Sequence, residues 1–329
     1  MDSLQKVNRL SPSHVGTQPI RVLQHNIIFH FENANSTFLK VMIDSIFEKG
    51  LKLGIGYYIN EEPICFKIDG HIQTPFVDSD KKIHIHETFA SYVWCISYSL
   101  FVLYDEAVAK PSQNLFLNKE KNIIDYSRIE KTQELFNYGI SLIKFFTVWD
   151  KDYLPNPEDY YKHDEFFVHR SNSIFVYAMT FILCHEYAHV EKEHIDKKIN
   201  GKTSLADSIR FEKEADARAI ELMLSGATNE TQKSISAGIL IGLCCLLFFK
   251  KETSNNSHPD TDERIHSFLI TLDAKADDPI WGMAALAFKL WDNQFSKYYS
   301  WPKAVKDFKE MYLFIKNEVA MENKKMRKA

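Results

Sequence analysis

The hydrophobic pattern changes character near residue 88. Ahead of that point the apolar runs are short. Phe38–Lys49 spaces its apolar residues as an amphipathic helix does, with Gly50 as its stop. Between Leu53 and Glu87, Gly54, Gly56, Pro63 and Gly70 punctuate β-like runs, notably Ile64–Ile68 and Ile83–His86, whose alternation predicts a small sheet. From Thr88 onward the pattern is helical. Phe89–Tyr104 is too continuously apolar for a surface helix and belongs in the core. Further helices are expected over Ser127–Trp149, Ser173–Lys197 and Leu205–Ser225, the last stopped by Gly226. Another is expected from Asp260, where Asp260 and Glu263 have the spacing of a capping box. Asp150–Tyr161, with Pro155-Asn156-Pro157, reads as a loop. The expected fold is mainly α (α+β): an N-terminal region over 1–87 with a small sheet, and a helical catalytic region over 88–329, the two forming one compact unit.

Ile235–Phe249 is a 15-residue apolar run between lysines. It falls short of the roughly 20 residues that span a bilayer, so a buried helix is expected. Gly238 and Gly242, four apart, would let it approach a neighbouring helix closely. Composition adds three points. Gly and Pro number 11 and 10 in 329 residues, about half their usual share of roughly 12%, which favours long helices over a turn-rich β fold. A net charge of −4 removes the simple electrostatic case for nucleic-acid binding. Five cysteines without a CxxC pair, four of them in apolar runs, read as reduced and buried. With no apolar h-region at the N-terminus, a cytoplasmic location is expected and membrane association is not.

The chemistry lies in His185-Glu186-Tyr187-Ala188-His189, an HExxH motif. Residues four apart on a helix sit about 40° apart around its axis, so both imidazoles share one face. Two neutral imidazoles there can take two corners of a zinc tetrahedron, while Glu186 reaches the water and acts as general base. With 13 histidines, a chance HExxH is expected roughly 0.04 times.

A catalytic zinc needs a third protein ligand. The HExxHxxGxxH option fails, because Lys192 and Ile195 occupy the Gly and last His positions. His194, five residues beyond His189, is rotated off the ligand face. The gluzincin option needs a glutamate on a following helix. Glu212-Lys213-Glu214-Ala215-Asp216 supplies ExxAD 23 residues beyond His189, with Glu212 as third ligand and Glu214 as its rival. Asp216, one turn on, could accept a ring N–H from a ligand histidine. His258 precedes Pro259 and a capped helix; so fixed, it could donate to an oxyanion, with Arg264 bracing its loop. His84 and His86 share a strand face, and a solvated face is the expected reading there.

HExxH, then ExxAD, then His258-Pro259 with Arg264-Ile265 resembles the heat-shock and CaaX-processing membrane zinc peptidases, without their transmembrane helices. The segments KKIHIHETFASYVWCISYSLFVLYDEA, TVWDKDYLPNPEDYY and FILCHEYAHVEKEH look more like the Lit-type phage-exclusion peptidases, over roughly residues 60 to 290. That resemblance implies His185, His189 and Glu212 as zinc ligands and Glu186 as the catalytic glutamate. It also implies elongation factor Tu as protein substrate and a phage-derived activator. A non-catalytic peptide-binding sensor on the same fold and a membrane-associated housekeeping metallopeptidase are the alternatives; the intact Glu186 argues against the first.

Overall fold

The computed structural model describes residues 18–33, 54–58, 74–112, 123–144, 147–159, 165–201, 203–225, 227–253, 258–302 and 304–326. The expected helix at Phe38–Lys49, the strand at Ile64–Ile68, Cys65 and Gly226 lie outside them. The fold is mainly α with a small sheet, as the periodicity implies.

A 3-10 turn, Pro19–Leu23, leads into α1, Gln24–Asn33. The sheet has three strands in the order β1-β3-β2: β1, Gly54–Tyr58, β2, Phe76–Val77, and β3, Lys82–His86. β3 runs parallel to β1, with Gly54 opposite Lys82, and antiparallel to β2, with Phe76 opposite His84. The alternation along β3 turns Ile83 and Ile85 inward. Its two histidines are held by protein groups. His84 Nε2 is 2.6 Å from Asp78 Oδ2, and its ring stacks on Phe76. His86 Nδ1 accepts the Thr88 amide and so caps the next helix, α2, Glu87–Tyr104. Buried Glu87 at its first turn pairs with Arg21 at 2.8 Å, fastening the N-terminal turn to it.

The apolar run predicted for the core is indeed buried: Tyr92, Trp94, Tyr98 and most of α2 are shielded from solvent. α3, Tyr126–Leu142, ends seven residues before the expected Trp149. The chain leaves the helical path so that Trp149 packs edge-on to Trp94, 5.5 Å between centroids, while the Thr147 carbonyl accepts the Tyr138 hydroxyl. Side-chain burial there overrides local helix propensity.

α4, Glu165–Glu191, is the central element and packs against α1, α2 and the later helices α6 and α7. It starts eight residues earlier than expected and stops six earlier, because Glu193 is left-handed (φ 58°, ψ 28°). A short α5, His194–Ile199, follows. α6, Leu205–Leu224, begins with a capping box: Ser204 Oγ accepts the Asp207 amide, and Asp207 accepts the Ser204 amide. α7, Gln232–Cys244, is the front part of the apolar run, which closes in a 3-10 turn at Leu247–Phe249. Gln232–Phe249 is long and apolar enough to cross a membrane by composition, and 72% of it is buried inside the protein. Gly238 and Gly242 let α7 lie directly on α4 at Tyr177, Ala178 and Phe181. Cys95, Cys184, Cys244 and Cys245 are unpaired and buried.

α8, Thr261–Thr271, α9, Pro279–Phe295, and α10, Phe308–Met326, complete the described fold. The capping box expected at Asp260 does not form. Asp260 caps α8 through its carbonyl, which accepts the Glu263 and Arg264 amides, and Glu263 reaches out to Lys316 instead.

Candidate metal centre

The last turns of α4 and the middle of α6 face each other, and each helix contributes its small or apolar face to the contact. Phe211, Ala215 and Ala219 of α6 are buried, which brings Glu212 to the HExxH face. His185 Nε2 and His189 Nε2 lie 3.2 Å apart. Glu212 Oε2 is 3.3 Å from His185 Nε2, and its Oε1 is 3.6 Å from His189 Nε2. The three side chains are buried. A tetrahedral ion with donors about 2.0–2.1 Å away places those donors roughly 3.3 Å from one another. The observed spacings match, so this group could hold a metal ion.

Each histidine turns Nε2 inward and is held through Nδ1. His185 Nδ1 meets Asp216 Oδ1 at 2.9 Å. Arg264 clasps the same carboxylate with two bonds, Nε to Oδ2 at 2.7 Å and Nη2 to Oδ1 at 2.6 Å. Arg264 was expected to brace the loop of His258; it braces Asp216, and through it His185. His189 Nδ1 lies 3.1 Å from His194 Nδ1, and His194 Nε2 lies 3.0 Å from Glu214 Oε2. Glu214 therefore points to His194 and away from the ion position, which separates it from Glu212. The spacing rule misses His194 because the helix breaks at Glu193, ahead of it.

Charge around the group is balanced. Burial works against the Glu212 carboxylate, yet His185 and His189 hold it far below its ordinary value, with Lys198 Nζ 3.9 Å away. Burial also disfavours a charged His185, but Asp216 and Glu212 reverse this and raise it to about 9, so a metal would have to displace that proton. Burial lowers His189 and takes His194 down to about 4, keeping both rings neutral at pH 7. Glu186 is pushed up to about 7 by burial. His258 faces the group from the α8 side, its Nε2 3.8 Å from Glu212 Oε1 and its side chain about half exposed. A cavity of about 500 Å³ between α6, α8 and α10 opens beside His258, Asp216 and Arg264. Glu191, in the charged stretch Glu191-Lys192-Glu193, is nevertheless buried and clasped by Arg218 at 2.8 and 2.9 Å. That pair locks the end of α4 to α6 just beyond the site.

An HExxH helix clamped to a helix bearing a carboxylate, the third member of the group, is an arrangement suited to hydrolysis, and comparison with known proteins gives the class as peptidase. Residues 83–284, more than half of the chain, match the model of the Peptidase U49 family, and the chain belongs to that family. It is also similar to the Cell death peptidase of Escherichia coli (strain K12), at 27% identity over 200 residues. The match covers 58% of this chain and 63% of that protein, so the chain spans less than two thirds of the curated relative. No solved structure matches.

Proposed function

We propose that this chain is a zinc-dependent endopeptidase of the gluzincin type. His185, His189 and Glu212 hold the ion, and Glu186 is the general base. The observation that carries the reading is the convergence of two Nε2 atoms and one carboxylate at 3.2–3.6 Å, with each imidazole already oriented from behind. Zinc bound there would polarise the scissile carbonyl and lower the pKa of its water towards about 7. Glu186 takes a proton from the attacking water and passes it to the leaving amine. Burial raises its carboxyl towards the working pH, which suits a group that must both accept and release a proton. His258 donates from Nε2 to the developing oxyanion. Asp216 orients His185, and Arg264 holds Asp216. The cavity beside His258 gives room for a substrate side chain.

The substrate we propose is a protein, specifically a translation factor such as elongation factor Tu, cleaved in the cytoplasm when a phage-derived activator is present. Two things support this: the likeness to Lit-type phage-exclusion peptidases, and the name of the Escherichia coli relative, which joins peptidase to cell death. A peptidase whose action ends in death must be restrained until needed, and a partner that orders the substrate in the cleft is an ordinary way to do so. The unpaired, buried cysteines accord with a reducing compartment.

Metal analysis of the purified chain should return about one zinc, and Glu186→Gln should keep the metal and lose hydrolysis. Loss of zinc in that variant would overturn the division of roles. His258→Ala should lower kcat more than it raises KM. Incubation with casein and with elongation factor Tu, each with and without phage lysate, tests the conditional part. Rapid cleavage of casein without an activator would sink it.

A further inference from the structure

The support behind His189 has no counterpart in the HExxH or ExxAD pattern. We infer that His194 is a positioning residue of the metal centre, and that the line Glu214–His194–His189 sets the tautomer and ring orientation of His189 as Asp216 does for His185. This rests on the metal-centre reading above.

Three observations carry it. The first is the line itself. Glu214 Oε2 is 3.0 Å from His194 Nε2, and His194 Nδ1 is 3.1 Å from His189 Nδ1. A carboxylate only accepts, so His194 Nε2 carries the hydrogen. In a neutral ring Nδ1 is then an acceptor, and the hydrogen between the two Nδ1 atoms belongs to His189. This leaves the His189 Nε2 lone pair pointing at His185 and Glu212, the state a metal ligand needs.

The second observation is the backbone. On an unbroken helix, five residues amount to about 140° around the axis, and His194 would point away from His189. Glu193 takes the left-handed conformation, at φ 58° and ψ 28°. That conformation is costly for a residue with a Cβ and persists where the surroundings hold it. The break restarts the chain so that the His194 ring comes back under His189.

The third is the clamp on the ring. His194 is fully buried and stacks on Phe211, 4.2 Å between centroids and 12° between planes. It meets His189 edge-on at 5.1 Å. The stacking fixes the plane of the ring, and a flip within that plane would break the contacts of both nitrogens, so the acceptor stays aimed at His189. Glu214, by contrast, is 41% exposed and can be changed without disturbing the core.

The test measures zinc affinity of the full chain by competition with a chromophoric chelator, after removal and return of zinc. His194→Phe keeps a ring against Phe211 and removes the acceptor; His194→Asn carries Oδ1 where Nδ1 stood. His194→Phe is expected to weaken zinc binding about 10–100-fold, and His194→Asn to stay within about threefold of the parent. Glu214→Gln should weaken binding by less, and should add nothing in the His194→Phe background. Parent-like affinity in His194→Phe, or an equal loss in His194→Asn, overturns the proposal. Should circular dichroism show His194→Phe unfolded, Glu214→Gln decides alone: unchanged affinity overturns the line, and weakened affinity supports it. A parent that binds no zinc, or a His189→Ala variant that keeps it, overturns the metal centre and the line with it. Tight binding by the parent, none by His189→Ala and tight binding by His194→Phe overturns the line only.

Discussion

Arg264→Met removes the guanidinium that clasps Asp216 and leaves an uncharged chain of similar length. Its two bonds, at 2.6 and 2.7 Å, lie between side chains that are about nine-tenths buried. A hydrogen bond to a charged group contributes about 1.5–3 kcal/mol net, so the pair bounds the loss at about 3–6 kcal/mol. Two features pull the figure down. Asp216 keeps His185 as a partner at 2.9 Å, and Met restores part of the apolar contact. Breaking one side of a buried pair costs about 3–5 kcal/mol, and the low end, about 3 kcal/mol, is expected here. The measurement is urea unfolding of the chelator-treated chain for Arg264→Met, Asp216→Asn and the double variant. The double variant buries no unpaired charge, so the two losses should fall short of additive by about 2 kcal/mol. A loss below about 0.5 kcal/mol for Arg264→Met, or additivity in the cycle, would refute the reasoning. Zinc affinity gives a second readout. Asp216 freed from Arg264 should orient His185 less well, so stability lost with affinity intact would place Arg264 in the fold and outside the site.

Two further perturbations follow from packing and charge. A methyl at Gly238 would strike Tyr177 and lie 2.9 Å from the Ala178 amide nitrogen, which is backbone and cannot swing aside. With both clashes under 3 Å the overpacking cost falls in the upper part of the range, about 2–3 kcal/mol; offset by about 1 kcal/mol of helix propensity, it predicts a net loss of about 1–2 kcal/mol for Gly238→Ala in thermal unfolding, and an unchanged or raised Tm contradicts it. Glu106 is fully buried; burial would raise its carboxyl, but Lys110 at 2.7 Å, the Asp125 amide and Arg128 at 2.6 Å hold it below its ordinary value of 4.5. Its unfolded form therefore binds a proton more readily, so its contribution is present above pH 4.5 and is lost as pH falls through the lower folded value. Denaturant midpoints taken from pH 7 downward should show a shallower acid limb in Glu106→Gln than in the parent, and parallel limbs would refute the assignment.

What could be read from the chain was the part governed by periodicity. His185 and His189 share a face because they are four apart, and Glu212 and Asp216 share one for the same reason, so two helices laid side by side brought all four to one place. The buried α2 and α7 declared themselves by continuous apolar runs. What stayed hidden depends on contacts between distant residues. Trp149 leaves the helix because Tyr138 and the sequence-distant Trp94 receive it. Glu191 is buried because Arg218 on α6 comes to meet it; nothing in Glu191-Lys192-Glu193 announces a partner 27 residues away. The instructive case is His194. Spacing alone put it on the wrong face, and the spacing argument was sound for a continuous helix. The assumption that failed was continuity, through one non-glycine residue, Glu193, held in a conformation that local preference disfavours. Local cost at that residue and order at its neighbour occur together: α4 stops at Glu191, and three residues later a buried ring lies against His189. A sequence rule blind to this break would find the same candidate ligands but would leave His189 unsupported. The second imidazole would then stand oriented on one side only, in a site whose other imidazole is held by Asp216 and Arg264.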